Sequence, residues 1–259
     1  MTALQAFILG IVQGVAEFLP ISSSGHLIVL QRVFGITEPL LTFDIVVHIG
    51  SLLAILIVFW PKVVALLKDP LGKSTRLLLV GTIPAVVAGF LLRDFVENYL
   101  RTGIWLGIAF FITGLLLTFA DKQKAKATKA DITYKDALVI GICQALALPP
   151  GISRSGTTIA GALGRGINRQ QAAEFSFMLA MIAIAGAGVL EIFTAEAIAM
   201  EISFIATAIG FVTSLVVGIV SIKLLLKLIG ACKLKYFAWY VWGLGGLILI
   251  DYFILGRFF

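Results

Sequence analysis

Residues 10 to 25 read GIVQGVAEFLPISSSG and residues 141 to 156 read GICQALALPPGISRSG; they align without a gap at an offset of 131, with eight of sixteen positions identical. Self-similarity at a fixed offset marks a duplicated unit. A weaker echo pairs Gly81 and Gly89 of GTIPAVVAG with Gly210 and Gly218 of GFVTSLVVG at an offset of 129. Each strong copy interrupts an apolar stretch with proline and a Ser/Gly cluster. Pro20 precedes Ser22, Ser23, Ser24 and Gly25, and Pro149-Pro150-Gly151 precedes Ser153, Arg154, Ser155 and Gly156. Proline does not continue a helix, and irregular backbone at membrane depth survives only where it lines a cavity inside protein. The pieces on either side fall short of the roughly 20 residues a span requires, so the two motifs read as re-entrant helical hairpins.

The remaining chain supplies the membrane. Of 259 residues, 60% are hydrophobic and 13% charged, with a mean hydropathy of +1.06, against about 45–50% apolar and 25% charged in soluble domains. An ordinary soluble enzyme is excluded. The apolar runs are continuous, without the alternating polarity of barrel strands, so the class is all-α. Runs near 44–60, 77–93, 104–120, 172–195, 203–222 and 236–256 are each long enough to cross, giving six transmembrane helices.

One hairpin plus three crossings per half turns the second half upside down, an inverted-topology repeat. Repeat 1 is expected over 1–120, repeat 2 over 136–259, and a cytoplasmic linker over 121–135, DKQKAKATKADITYK, within one membrane domain. On this plan one side carries Lys62, Lys68, Lys73, Arg76, Lys122, Lys124, Lys126, Lys129, Lys135, Arg165, Arg169, Lys223, Lys227, Lys233 and Lys235. The other carries Arg32, Arg93, Arg101 and Arg257. The positive-inside rule makes the rich side cytoplasmic and puts both termini outside. The same bias accounts for the net charge of +6 without nucleic acid. No cleavable signal peptide is expected. Cys143 and Cys232 read as packing residues. Trp60, Trp105, Tyr236, Trp239, Tyr240, Trp242 and Tyr252 lie toward span ends, as interfacial belts do.

The twentieth basic residue, Arg154, sits inside a hairpin, and charge at membrane depth marks a functional candidate. Glu17 follows Gln13 by four residues on one helix face, and His26 follows the first break. Hairpins entering from opposite faces bring their tips together, so Glu17, His26 and the serines are expected to meet Arg154. A guanidinium fork and two helix starts suit phosphate oxygens. Ser22, Ser23, Ser24, Ser153, Ser155, Thr157 and Thr158 add hydroxyls, as hydrogen-bond donors or, for one of them, as nucleophile. His26 would act as general acid or base, and Glu17 would orient it or hold a divalent cation. Spacing alone does not separate these roles. His48 has nothing beside it at ligand spacing and reads as a packing histidine, with a contribution to the site as the open alternative. Asp44 suits a helix N-terminus, and Glu174 and Glu191 suit helix-end or inter-helix contacts.

GVAEFLPISSSGH (14–26) and PGISRSG (150–156) resemble the two signature motifs of the undecaprenyl-diphosphatase family linked to bacitracin resistance. The similarity extends through FDIVVHIGSLLAI, GTIPAVVAG and AEFSFMLA, nearly the whole chain. The resemblance implies an integral-membrane phosphatase of the plasma membrane that hydrolyses polyprenyl diphosphate to the monophosphate on the outer face, recycling the lipid carrier of cell-wall glycans. It marks Glu17, Ser23, His26, Ser153, Arg154 and Thr158, with Ser22, Ser24, Gly25, Ser155 and Gly156 shaping the phosphate cradle. Ser23 becomes the nucleophile candidate and His26 the proton handler, with direct attack by water as the alternative. It also implies a divalent cation, Mg2+ or Ca2+. Where the family often has a second glutamate this chain has Gln13, so Glu17 is the single carboxylate for the metal. Expected partners are the lipid substrate and membrane lipids, with a homodimer open. A secondary transporter or polyprenyl-phosphate flippase is the rival reading, since inverted repeats with broken helices also build transporters.

Overall fold

The computed structural model describes residues 1–36, 40–100, 102–123, 127–194, 203–230 and 233–259. Of the residues named above, Arg101, Lys124, Lys126 and Cys232 lie outside these, as do the side chains of Arg93 and Glu191. The described chain is helical. Six helices are long and apolar enough to cross a membrane: α3 (Leu41–Val58), α5 (Lys73–Tyr99), α6 (Gly103–Lys122), α9 (Arg169–Thr194), α10 (Phe204–Leu228) and α11 (Lys235–Ile250). The last continues into a π-helical turn, Asp251–Leu255. These are the six expected runs.

Four short helices surround the two breaks: α1 (Ala3–Ala16) and α2 (Ser23–Val33) in the first, α7 (Tyr134–Leu146) and α8 (Arg154–Gly164) in the second. A further short helix, α4 (Trp60–Lys68), begins with proline in its first turn and went unread in the sequence. Both α1 and α7 start with a capping box, Thr2 with Gln5 and Thr133 with Asp136, in which each side chain satisfies an otherwise orphaned N–H. The two boxes are separated by the motif offset of 131.

Helix packing crosses between the halves. α1 packs on α10, which also covers α3, while α7 packs on α5 and α6 on α11. Glycine permits these approaches. A side-chain carbon on Gly10 would come within 2.7 Å of the Gly210 carbonyl oxygen, and one on Gly141 would collide with the Gly81 carbonyl. Close backbone approach at small residues is how helices associate without a hydrophobic driving force between them. Phe18, fully buried, meets Phe177 of α9 edge-on at 5.6 Å and so anchors the first break to the helix behind it.

At the basic end of the molecule Asp136 accepts from Lys129, Thr133 and Arg165. Burial acts to raise its pKa, but those donors outweigh burial and hold the carboxyl well below the usual carboxylate range. Asp121 likewise receives Arg169 and the Leu234 N–H. These contacts tie the linker end of the chain to α8, α9 and α11. Glu174 pairs with Lys62 across helices, as its inter-helix reading expected.

Gly141→Ala is expected to lower stability by at least about 1–3 kcal/mol through overpacking against backbone. Gly246→Ala, where nothing lies within 4 Å, should stay within about 0.5 kcal/mol of the parent. Thermal unfolding in detergent compares the two.

Candidate active site

The chain after α1 cannot stay helical through Pro20, and Ser22 takes φ +73°, a left-handed conformation that a serine adopts only under constraint. Ser22 caps α2 through its side chain, accepting from the Gly25 N–H at 3.4 Å. In the second break the positive φ falls on Gly151 at +91°, which carries no such strain, and Ser153 caps α8 by accepting from the Gly156 N–H at 3.1 Å. The tips touch. A side-chain carbon on Gly25 would meet the Gly151 backbone at 3.0 Å, and Ser155 Oγ donates to the Leu19 carbonyl at 3.3 Å.

Between the tips lies a cavity of about 390 Å³ lined by Glu17, Ser22, Ser23, Ser24, Asp44, His48, Ser153, Arg154 and Ser155 on its polar side. Glu17, only 6% exposed, is its centre. Oε1 accepts from Arg154 Nη2, and Oε2 accepts from Ser23 Oγ and, at 3.2 Å, from Gln13 Nε2. Gln13 in turn donates to Ser51 Oγ at 3.3 Å. Arg154 Nη1 is buried and finds no acceptor among the described residues. The acid and the cation are therefore paired, and one guanidinium donor is left without a partner among the described residues.

The structure thus brings Glu17, Ser23 and Arg154 into contact, as the motifs expected, with Ser22, Ser24, Ser153 and Ser155 around them. Gly25 and Gly156 contribute backbone, as described. Thr157 and Thr158 are engaged inside α8, donating to the Ser153 carbonyl at 2.6 Å and the Arg154 carbonyl at 2.8 Å. His26 does not join the chamber wall. Its Nδ1 donates to the Ser22 carbonyl at 2.7 Å, its Nε2 meets the Tyr240 hydroxyl at 2.7 Å, and its ring stacks on Tyr240 with Phe110 edge-on.

The sequence reading left one residue open, His48, and missed another, Thr113. His48 lines the chamber with Nε2 3.7 Å from Glu17 Oε2. Asp44, His48 and Ser51 form a polar stripe at helical spacing along the apolar α3, which was the available signal. Thr113 on α6 accepts from the Ser153 N–H at 3.0 Å and donates to the Gly151 carbonyl at 2.9 Å, bridging the second break. Nothing in its local sequence announces that.

The oxygen ligands a divalent ion would find here are the Glu17 carboxylate and Gln13 Oε1, which is buried and accepts from no donor among the described residues. Both Glu17 oxygens already accept from Arg154, Ser23 and Gln13, and Asp44, the second carboxylate on the cavity wall, accepts from Gln31 at 2.8 Å; among the described residues no three His, Cys, Asp or Glu side chains are grouped as metal ligands.

Such a fold and chamber define a polytopic membrane protein with a buried polar site where the two helix breaks meet. The model of the family described as bacitracin resistance protein BacA matches residues 6–247, and the chain belongs to that family. It is 43% identical over 254 residues to the undecaprenyl-diphosphatase of Carboxydothermus hydrogenoformans, covering 96% of this chain and 97% of that one. It is 46% identical over 252 residues to undecaprenyl-diphosphatase 3 of Bacillus cereus, covering 96% of this chain and 97% of that one. The undecaprenyl-diphosphatase of Methanosphaera stadtmanae is 39% identical over 270 residues, covering 95% of this chain and 97% of that one.

Thr113→Val leaves a buried N–H and a buried carbonyl unsatisfied at about 1–3 kcal/mol each. The variant is expected to melt well below the parent in detergent, whereas Thr113→Ser keeps both bonds and should melt near it.

Proposed function

We propose that this chain hydrolyses undecaprenyl diphosphate to undecaprenyl phosphate and inorganic phosphate, recycling the lipid carrier of cell-wall glycans and so conferring bacitracin resistance. The spare, buried Nη1 of Arg154, beside serines that line the chamber at two helix starts, is what carries this reading. First-turn N–H groups of α2 and α8 favour negative charge in the same space. Arg154 and these groups bind the phosphates and hold the charge that spreads over the transferring phosphoryl oxygens. Ser23 Oγ gives its proton to the hydrogen bond with Glu17, which turns its lone pairs toward the chamber. Ser23 is the nucleophile in this reading, and a water placed by the same carboxylate is the alternative.

The apolar wall suits the tail. Ile45 and Ile49 of α3 line the cavity together with Ile184, Ala187 and Gly188 of α9, so a prenyl chain would leave between these helices into lipid. The inverted-repeat plan, with hairpins α1–α2 and α7–α8, repeats over 1–120 and 136–259 and the linker 121–135, is supported by the exchanged glycine contacts. Gly10 meets Gly210 as Gly141 meets Gly81, and the sequence echoes relate these same partners by offsets of 131 and 129. The chamber uses the Leu41 end of α3 and the Gly188 end of α9, away from Arg169 at the start of α9 and from Lys62 in α4, which follows the other end of α3. With the basic ends in the cytoplasm, the chamber opens on the outer face of the plasma membrane and both termini lie outside.

Purified chain given undecaprenyl diphosphate should release one phosphate per lipid. Arg154→Ala should reduce turnover by about 10²–10³-fold, the scale for losing a donor to developing charge. Phosphate release at the parent rate by that variant overturns the site. Relocation of intact lipid between leaflets with no phosphate released would identify transport instead.

A further inference from the structure

The chain's two histidines have opposite geometry, and they differ in which ring nitrogen is left free. His48 sits on α3 four residues after Asp44 and bonds the Asp44 carbonyl through Nδ1 at 2.6 Å. Its Nε2 faces the chamber, makes no hydrogen bond among the described residues, and stands 3.7 Å from Glu17 Oε2. That separation is too long for a direct bond and leaves the nitrogen available to a ligand atom beside the carboxylate. The side chain is 30% exposed, and it lines the cavity it shares with Arg154 and the two serine clusters. His26 has neither property. Both ring nitrogens are engaged, its ring is packed between Phe110 and Tyr240, and it lines no part of the cavity. What its Nδ1 holds is the carbonyl of Ser22, the non-glycine residue with positive φ that launches α2 and aims Ser23 at Glu17.

We propose that His48, carrying a proton on each ring nitrogen, donates from Nε2 to an oxygen of the diphosphate headgroup, while His26 is a positioning residue that clamps the Ser22 turn through Nδ1. The proposal rests on the hydrolase reading above. It moves the imidazole that meets substrate from the end of the first motif, in α2, to a span helix, and it makes Tyr240 the second clamp on His26. Because Ser22 is held in a sparsely populated conformation that its surroundings must enforce, loss of the clamp releases the turn and carries Ser23 away from Glu17.

Asparagine and glutamine separate the two roles. The asparagine amide overlays the Nδ1 end of an imidazole and the glutamine amide the Nε2 end. At position 48, His48→Gln should keep turnover within about threefold of the parent and His48→Asn should lose roughly 10- to 100-fold, as expected for one hydrogen bond to a charged group. The loss should appear in KM and in the affinity for inorganic diphosphate, measured directly on the full chain in detergent. At position 26 the order reverses: His26→Asn keeps the bond to Ser22 and most activity, while His26→Gln loses kcat with diphosphate affinity little changed. Tyr240→Phe should give a milder kcat loss of the same kind. Equal behaviour of His48→Asn and His48→Gln in turnover and diphosphate affinity overturns the assignment of His48. Abolished turnover in both His26 variants, with melting temperatures at the parent value, overturns the positioning role. If the parent chain releases no phosphate from undecaprenyl diphosphate yet binds inorganic diphosphate in a His48-dependent way, the hydrolase reading fails and the headgroup contact stands.

Discussion

A carboxylate and a guanidinium, each at the broken end of a short helix, face one another inside an otherwise apolar bundle. Either charge alone at such a depth is costly, and removing one partner of a buried pair strands the other. Glu17 and Arg154 lie 137 residues apart in the chain, so their contact obliges the two breaks to meet. The rest of the architecture serves that meeting. α1 is carried in against α10 and α7 against α5, through glycine faces that admit backbone against backbone, and Phe18 pins the residue after Glu17 to α9.

The pair also sets the chemistry. With Oε1 on Arg154 and Oε2 on Ser23, the carboxylate does two jobs at once: it keeps the guanidinium aimed into the chamber and it orients a hydroxyl beside it. Neither job needs a second carboxylate, which fits the amide at Gln13, a donor to Glu17 and a strut to Ser51 on α3. In the proposed reaction the contacts to Glu17 hold Arg154 and Ser23 in place before substrate arrives, and preorganisation of that kind lowers the reorganisation needed when charge develops.

Much of this was legible in the sequence, for reasons that differ by feature. Span length is fixed by lipid thickness, so the six long helices stand out from composition alone. Proline and clustered serine mark the breaks because a helix cannot pass Pro20 or Pro149-Pro150 whatever surrounds it. Glu17 and Arg154 stood out because charge is rare in such a chain. What stayed hidden depends on direction within an element. His26 looked like a site residue by its distance from the serines, yet the first turn of α2 points its ring toward Phe110 and Tyr240, the latter 214 residues further along. His48 looked like packing because its partners, Glu17 and the cavity, come from a different helix. Thr113 was invisible for the same reason, since its two bonds reach 38 and 40 residues ahead to the second break. α4 was missed because Pro61, which reads as the end of an apolar run, sits in the first turn of a new helix, where its missing N–H is no loss.

The most direct measurement of the central contact is a double-mutant cycle on Glu17→Gln and Arg154→Met, read by reversible unfolding of the chain in detergent. Each single change is expected to destabilise by about 3–5 kcal/mol, and the double variant should fall short of their sum by at least about 1 kcal/mol, within the range seen for residues in contact. Strict additivity of the two would mean that the carboxylate and the guanidinium do not share a chamber, and would contradict the pairing on which the site depends.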